Sequence, residues 1–387
     1  MTRRIALLAV AVFLPMTGLL AQHQVSLRDL TLVRNRTWAV DEFLEIRAGG
    51  LYAFPDSEDQ TTFAEKSTTL DGHVYFRGKN FLSGKGRTDA YIGRDGWYLG
   101  VVEGDPKTAK NFWRFEFYGQ NWMAYQREGF FDGDNFVPTG MFDKTKWDAR
   151  VMAATSPTAG MKAEAGAFYG QRKFNRNEQT SPAYVIPENY NVYGLEIIVE
   201  ENKIQVDQKT RLPFRGALFS AFLRTEWNDS KERFGLPGNQ STLPSQIIRG
   251  GLHAEILSPA SQTATWMITG DAAMGPKDDR IWIYDPWKPE GRWFVDGKFE
   301  LRWLMGDYFS LQPGFRLLYQ RIADEFQTSE DDKIFWGGSV RFRWDPSENI
   351  AFVLDYSYLS SNERAPVKIN EDSLTNHWVY AGFELRF

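Results

Sequence analysis

Residues 376–387 read NHWVYAGFELRF, and their alternation decides the architecture. Val379, Ala381, Phe383, Leu385 and Phe387 fall on one side of an extended strand, and Tyr380, Gly382, Glu384 and Arg386 on the other. A strand repeats every two residues, so one face is apolar to its last residue while the opposite face carries charge. The end of a water-soluble domain is expected to be polar and frayed instead.

Working back from that end, the same unit recurs. In 292–304, Trp293, Val295, Gly297, Phe299, Leu301 and Trp303 share one face, and Asp296, Lys298, Glu300 and Arg302 the other. In 309–321, Phe309, Leu311, Phe315, Leu317 and Tyr319 face away from Gln312, Arg316 and Gln320. Trp336, Val340, Phe342 and Trp344 oppose Ser339, Arg341 and Arg343, and Ile350, Phe352, Leu354, Tyr356 and Tyr358 oppose Asp355 and Ser357. A β-sandwich also alternates, but its strands are shorter and less aromatic at both ends. Long strands with aromatic residues at both ends favour a membrane span. Aromatics make up 15% of the chain, with 14 Trp, 16 Tyr and 29 Phe.

The terminal segment resembles the last strand of bacterial outer-membrane β-barrels, and the whole pattern resembles the general porins among them. That resemblance implies an all-β, transmembrane antiparallel β-barrel in the bacterial outer membrane. It implies contact with outer-membrane lipid and lipopolysaccharide, and delivery to the barrel-assembly machinery through the strand that ends at Phe387. It also implies a water-filled passive diffusion channel for small polar solutes or ions, in a chain that can form a homo-oligomer.

The ends and the composition set further bounds. Residues 1–21 combine Arg3 and Arg4 with an apolar run broken by Pro15 and a small residue at 21, the pattern of a secretory signal peptide. Residues 22–40 are expected to be a periplasmic segment and 41–387 the barrel. No cysteine occurs, which excludes a disulfide framework, thiol catalysis and Cys-based zinc sites. Net charge is −5, from 45 basic and 50 acidic residues, so no bulk attraction to nucleic acid is expected. No cofactor is expected. Asp132 with Asp134, and Asp278 with Asp279, lack the ligand spacing of a calcium loop.

Connections alternate in length. Short ones are expected at 103–110, 156–160, 258–262, 305–308 and 345–349, and long ones at 129–144, 173–188, 228–245, 275–291, 323–332 and 360–376. That is the alternation of periplasmic turns and outer loops, with 201–212 long for its side. Twelve strands follow residue 111. Upstream, 88–103 changes phase at Asp95-Gly96, a hairpin dipeptide, so two strands can be cut from it. Together with 43–54 and 68–79 these give sixteen strands; fourteen is the alternative.

If the apolar rows face lipid, the opposite rows face the lumen. The pore-lining set is then Arg114, Glu116, Arg249, His253, Glu255, Asp296, Lys298, Glu300, Arg302, Arg316, Arg341, Arg343, Asp355 and Glu384. A dry core would charge several kcal/mol per buried ion, so water is expected in the lumen. Arg302, Arg316, Arg341 and Arg343 could form a basic ladder opposite Glu196, Glu200 and Glu255, since rings of charge set selectivity. The blander reading is that these charges pair across strands. The aromatic loops 281–287 and 130–136 are expected to fold into the mouth or meet lipopolysaccharide. No enzyme activity is expected; the alternatives to a channel are a plugged barrel acting as a scaffold or adhesion surface and, behind it, a membrane-embedded hydrolase that depends on His253. His73 and His253 point inward but far apart, His377 lies on the apolar row, and His253 with Glu255 is the best acid–base pair on offer.

Overall fold

A computed structural model describes residues 43–55, 67–79, 86–93, 96–104, 111–125, 129–132, 135–138, 140–158, 160–206, 212–235, 242–275, 293–323, 330–361 and 374–387, with 237, 238 and 240. The leader, the 22–40 segment, the 281–287 loop, the Asp278–Asp279 pair and the Asp95 turn position lie outside these residues. All regular structure among the described residues is strand.

The strands run β1 (Phe43–Pro55), β2 (Ser67–Lys79), β3 (Gly86–Gly93), β4 (Gly96–Glu103) and β5 (Asn111–Tyr125). A loop hairpin follows, β6 (Gly129–Asp132) with β7 (Asn135–Pro138), then β8 (Gly140–Thr155), β9 (Met161–Thr180) and β10 (Tyr190–Asn202). The short β11 (Gln205–Val206) leads to β12 (Pro213–Asn228), β13 (Gln246–Pro259), β14 (Ala264–Met274) and β15 (Trp293–Met305). The last four are β16 (Phe309–Ala323), β17 (Glu330–Ser347), β18 (Ile350–Ser361) and β19 (Leu374–Arg386).

Leaving out the β6–β7 hairpin and β11, sixteen strands form one antiparallel sheet in which each pairs with its neighbour in sequence. The sheet closes where β1 meets β19, from Glu45↔Arg386 to Pro55↔Asn376. Phe387 completes the seam: its N–H donates to the Leu44 carbonyl at 2.9 Å, and Leu44 N–H returns the bond at 3.0 Å. A closed ladder leaves no strand edge with unpaired backbone groups, the condition for crossing hydrocarbon with strands.

The pairing fixes the faces. Ile92↔Trp97, Ala90↔Leu99 and Thr88↔Val101 pair in β3–β4, so the two short strands form, but not in the register of a two-residue Asp95-Gly96 turn, which would set Ile92 opposite Leu99 and Ala90 opposite Val101. Three loops are shorter than expected, because β9 runs on to Thr180, β8 begins at Gly140 and β17 begins at Glu330. In these extensions the period-two alternation of apolar and polar residues fades, so their ends are not legible in the sequence.

Outward rows are exposed and apolar: Trp113, Phe115, Phe117, Leu195, Ile197, Leu223, Leu252, Ile268, Val295, Leu317 and Leu354 all lie on them. Such a continuous apolar band far exceeds the few hundred Å² that a soluble monomer exposes. Aromatic pairs bound the band. Near the long-loop end lie Trp147–Tyr169, Tyr193–Trp227, Trp293–Tyr319 and Trp336–Tyr358. Near the short-turn end lie Trp266–Phe299, Phe309–Trp344 and Trp344–Phe352. Trp336 and Trp344 are eight residues apart on β17, about 26 Å along a strand, which fits a bilayer core. The outward row therefore meets lipid.

Candidate functional site

Every residue of the expected pore-lining set lies on the inward row, since each pairs in register with other inward residues. Glu116↔Arg150, His253↔Asp271, Lys298↔Arg316, Gln312↔Arg341 and Arg341↔Asp355 are examples. Within this row the wall divides into two unlike parts.

From β2 to β12 the inward charges are buried and held by one another. Asp89 accepts from Arg77 Nε at 2.7 Å, Arg87 Nε at 2.8 Å and the Tyr75 hydroxyl at 2.9 Å. Tyr75, Tyr91, Tyr98 and Tyr118 stand directly opposite one another on four adjacent strands, all buried. The Tyr98 hydroxyl donates to Glu116 at 2.7 Å, and Arg114 bridges Glu116 and Glu164. Arg150 donates to Glu196 at 2.6 Å and lies 4.6 Å over the Tyr118 ring.

Asp148 is the centre of this part. It takes Arg172 at 2.5 Å, Arg224 at 3.2 Å and the Tyr118 hydroxyl. Arg224 also donates to Glu226 at 3.0 Å and lies 3.7 Å over the Phe168 ring. Such pairs reach across two or three strands, and small residues make room for them. A Cβ at Gly170 would lie 2.1 Å from Asp148 Oδ1, so the carboxylate rests on bare backbone. Here the burial cost that water was expected to remove is offset by pairing.

From β13 to β18 the wall is wetter. The Arg341 side chain is 42% exposed although it faces inward, and Asp355 beside it is 20% exposed. Lys298 contacts Glu300 at 2.7 Å, and Arg316 grips Asp296 with two bonds of 2.9 Å. Arg302, Arg316, Arg341 and Arg343 do lie on neighbouring strands β15–β17. Each guanidinium nonetheless meets an acceptor: the Pro213 carbonyl, Asp296, Asp355, and Glu384 with Asp345. Glu196 and Glu200 face Arg150 and Lys162. The ladder is present in position, but Arg316, Arg341 and Arg343 are paired with carboxylates, so most of its charge is neutralised. Arg114, Glu116, Asp296, Glu300, Arg302, Arg343 and Glu384 are buried, while Arg249, His253, Glu255, Lys298, Arg316, Arg341 and Asp355 keep contact with solvent.

No protein-family model matches the chain, and no curated protein matches it in sequence. Solved structures do match in shape. CdiB from Acinetobacter baumannii superposes with a TM-score of 0.53 at 9% identity, over 90% of this chain and 60% of that one. BamA from Haemophilus ducreyi lacking POTRA domains 1–3 gives 0.50 at 10% identity, over 88% of this chain and 70% of that one. The chain thus spans less than two thirds of that CdiB. These likenesses, the closed sheet and the lipid-facing band agree. The chain folds as a bacterial outer-membrane β-barrel.

At the long-loop end of the barrel, loops 181–189 and 229–245 fold onto each other. Val185 and Gly235 exchange backbone hydrogen bonds of 3.1 and 2.9 Å. Tyr184, Phe234 and Leu243 pack on the inward residues Phe168, Phe174, Tyr190 and Val192, an apolar cap over one side of the mouth. Of the two aromatic loops expected there, 130–136 falls on the β6–β7 hairpin.

Two carboxylates clamp the cap. The backbone N–H groups of Lys231 and Glu232 donate to Glu188 and hold its carboxyl below the ordinary value. Burial pushes Asp229 up, but bonds of 2.7 and 3.0 Å from Asn191 more than reverse it, so its carboxyl is also lowered. Both groups have folded values below their unfolded ones. Their contribution is complete above the ordinary carboxylate range of about 4 and is lost as pH falls below it. Protection of the Val185 and Gly235 amides against exchange, relative to the intrinsic rate at each pH, is expected to fall below that range, while strand amides stay protected.

Sequence reasoning missed the surroundings of His253. Its partner is Asp271, at 2.8 Å from Nδ1, not Glu255. Ser220 lies directly opposite His253 on the other side. No spacing in the sequence announces either neighbour; strand register alone brings them together.

Proposed function

We propose that this barrel is a porin, a passive water-filled channel for small polar solutes or ions whose aqueous path follows the β13–β18 wall. The observation that carries the reading is Arg341: an inward guanidinium this exposed needs open, wet space beside it. A barrel of about sixteen strands is wide enough for such a path. The paired wall from β2 to β12 and the loop cap narrow the lumen from one side. Opposite charges nearly balance along the path, so selectivity is mild. Export through the 1–21 leader, insertion through the Phe387 strand and contact with lipopolysaccharide at the long-loop end complete the proposal.

Planar-bilayer recording tests it. The folded barrel is expected to conduct, and Arg341→Glu, which places two carboxylates side by side at Asp355, is expected to move the reversal potential in a salt gradient toward cation preference. Folded barrel with no conductance would favour the second reading, a plugged scaffold whose loops do the work. The loop cap and the buried half of the wall are what favour that alternative.

A further inference from the structure

One inward row crosses β10 to β15 as Glu200, Ser220, His253, Asp271 and Asp296, each directly opposite the next. The Asp271 carboxylate at His253 Nδ1 sets the ring's tautomer, placing the proton on Nδ1 and leaving Nε2 as the basic nitrogen. That Nε2 is buried and has no hydrogen-bond partner. Ser220 is half-buried on the side of His253 away from Asp271. Directly opposite residues have Cβ atoms about 4.5–5.5 Å apart, so the serine side chain and the imidazole are immediate cross-strand neighbours. Asp296, which would otherwise repel Asp271 across the ladder, is neutralised by Arg316.

We propose that Ser220, His253 and Asp271 act as nucleophile, general base and positioning carboxylate in the hydrolysis of small carboxylic esters that enter the lumen. Ser220 Oγ adds to the ester carbonyl carbon while its proton passes to His253 Nε2. The bond to the alcohol oxygen breaks, and the imidazolium returns that proton to the departing alkoxide. Water then attacks the acyl-serine, giving a proton to Nε2; Ser220 Oγ leaves, recovers it, and the carboxylic acid departs. Asp271 holds the ring and stabilises the imidazolium.

Backbone N–H groups on this row are committed to the ladder. The cation nearest the nucleophile along the row is Lys162, opposite Glu200 and 3.8 Å from its Oε1. One ammonium shared with a carboxylate stabilises an oxyanion less than paired N–H donors do. Turnover is therefore slow, and esters, with their better leaving groups, are the substrates rather than amides. The activity requires only that an ester reach the row, not that it cross the membrane, so it stands apart from permeation.

The test uses the full-length barrel in detergent, a fluorophosphonate probe and p-nitrophenyl acetate. The expected result is labelling at Ser220 and hydrolysis above the detergent blank, both lost in Ser220→Ala. His253→Ala should lower the rate on the order of 100-fold or more. Asp271→Asn should lower the rate and move its pH profile, with partial rescue by Asp271→Glu. Unchanged heat-modifiable mobility of Ser220→Ala shows that the fold survives. Labelling of a different residue, or wild-type rates equal to those of Ser220→Ala, overturns the proposal.

Discussion

Asp148→Ala is expected to destabilise the barrel by about 3–5 kcal/mol, the cost of leaving buried charge uncompensated. The substitution removes the acceptor shared by Arg172, Arg224 and the Tyr118 hydroxyl, all buried between β5 and β12. Glu226 remains, 3.0 Å from Arg224 and 3.7 Å from Arg172, so two guanidinium groups are left with one principal carboxylate between them. Water cannot take over, because the Phe168 ring and the loop cap cover this part of the wall. The contrasting case is Glu201→Ala. Its partner Lys203 is largely in solvent, and exposed pairs contribute about 0–1 kcal/mol. Urea midpoints for the two variants in lipid vesicles measure the difference.

Leu252→Arg is expected to cost about 2–4 kcal/mol in a bilayer, the penalty for a cation on the lipid face near the midplane. Leu252 lies midway along β13, outward and 63% exposed. In water an exposed leucine replaced by arginine would be close to neutral, so the size of the penalty reports the medium. Arg341→Ala, inward on β17 and paired with a partly exposed Asp355, should change stability by about 1 kcal/mol or less. Reversible folding into vesicles distinguishes the two positions.

How far the sequence foretold this depends on the range of the interaction. Period-two alternation is local, so the inward and outward rows of β15–β19 were readable residue by residue, and the phase change at Asp95-Gly96 located two short strands but not their register. Sixteen strands followed from those rows and from parity. Partner choice is not local. Arg114 reaches Glu164 and Arg150 reaches Glu196 over an intervening strand. Reading the charges as a solvated wall fits Arg249, His253, Glu255, Lys298, Arg316, Arg341 and Asp355, which keep contact with solvent. It does not fit the buried Asp296, Glu300, Arg302 and Arg343 among them or the paired charges from β2 to β12, because nothing in the pattern says how closely opposite residues converge. The loop cap was hidden for another reason. Tyr184, Phe234 and Leu243 sit in irregular segments without periodicity, and their burial comes from the inward Phe168 and Phe174 beneath them. His253 was singled out correctly as an inward residue, but Ser220 and Asp271 became its neighbours only through register.

The central claim is that lipid meets the outward rows and water the inward ones. The chain has no cysteine, so single spin labels at Leu252→Cys and Arg341→Cys need no background removal. In liposomes the account predicts that the label at 252 is relaxed by oxygen but shielded from a water-soluble nickel chelate, and that the label at 341 shows the reverse. Equal access of the nickel chelate to both would contradict it.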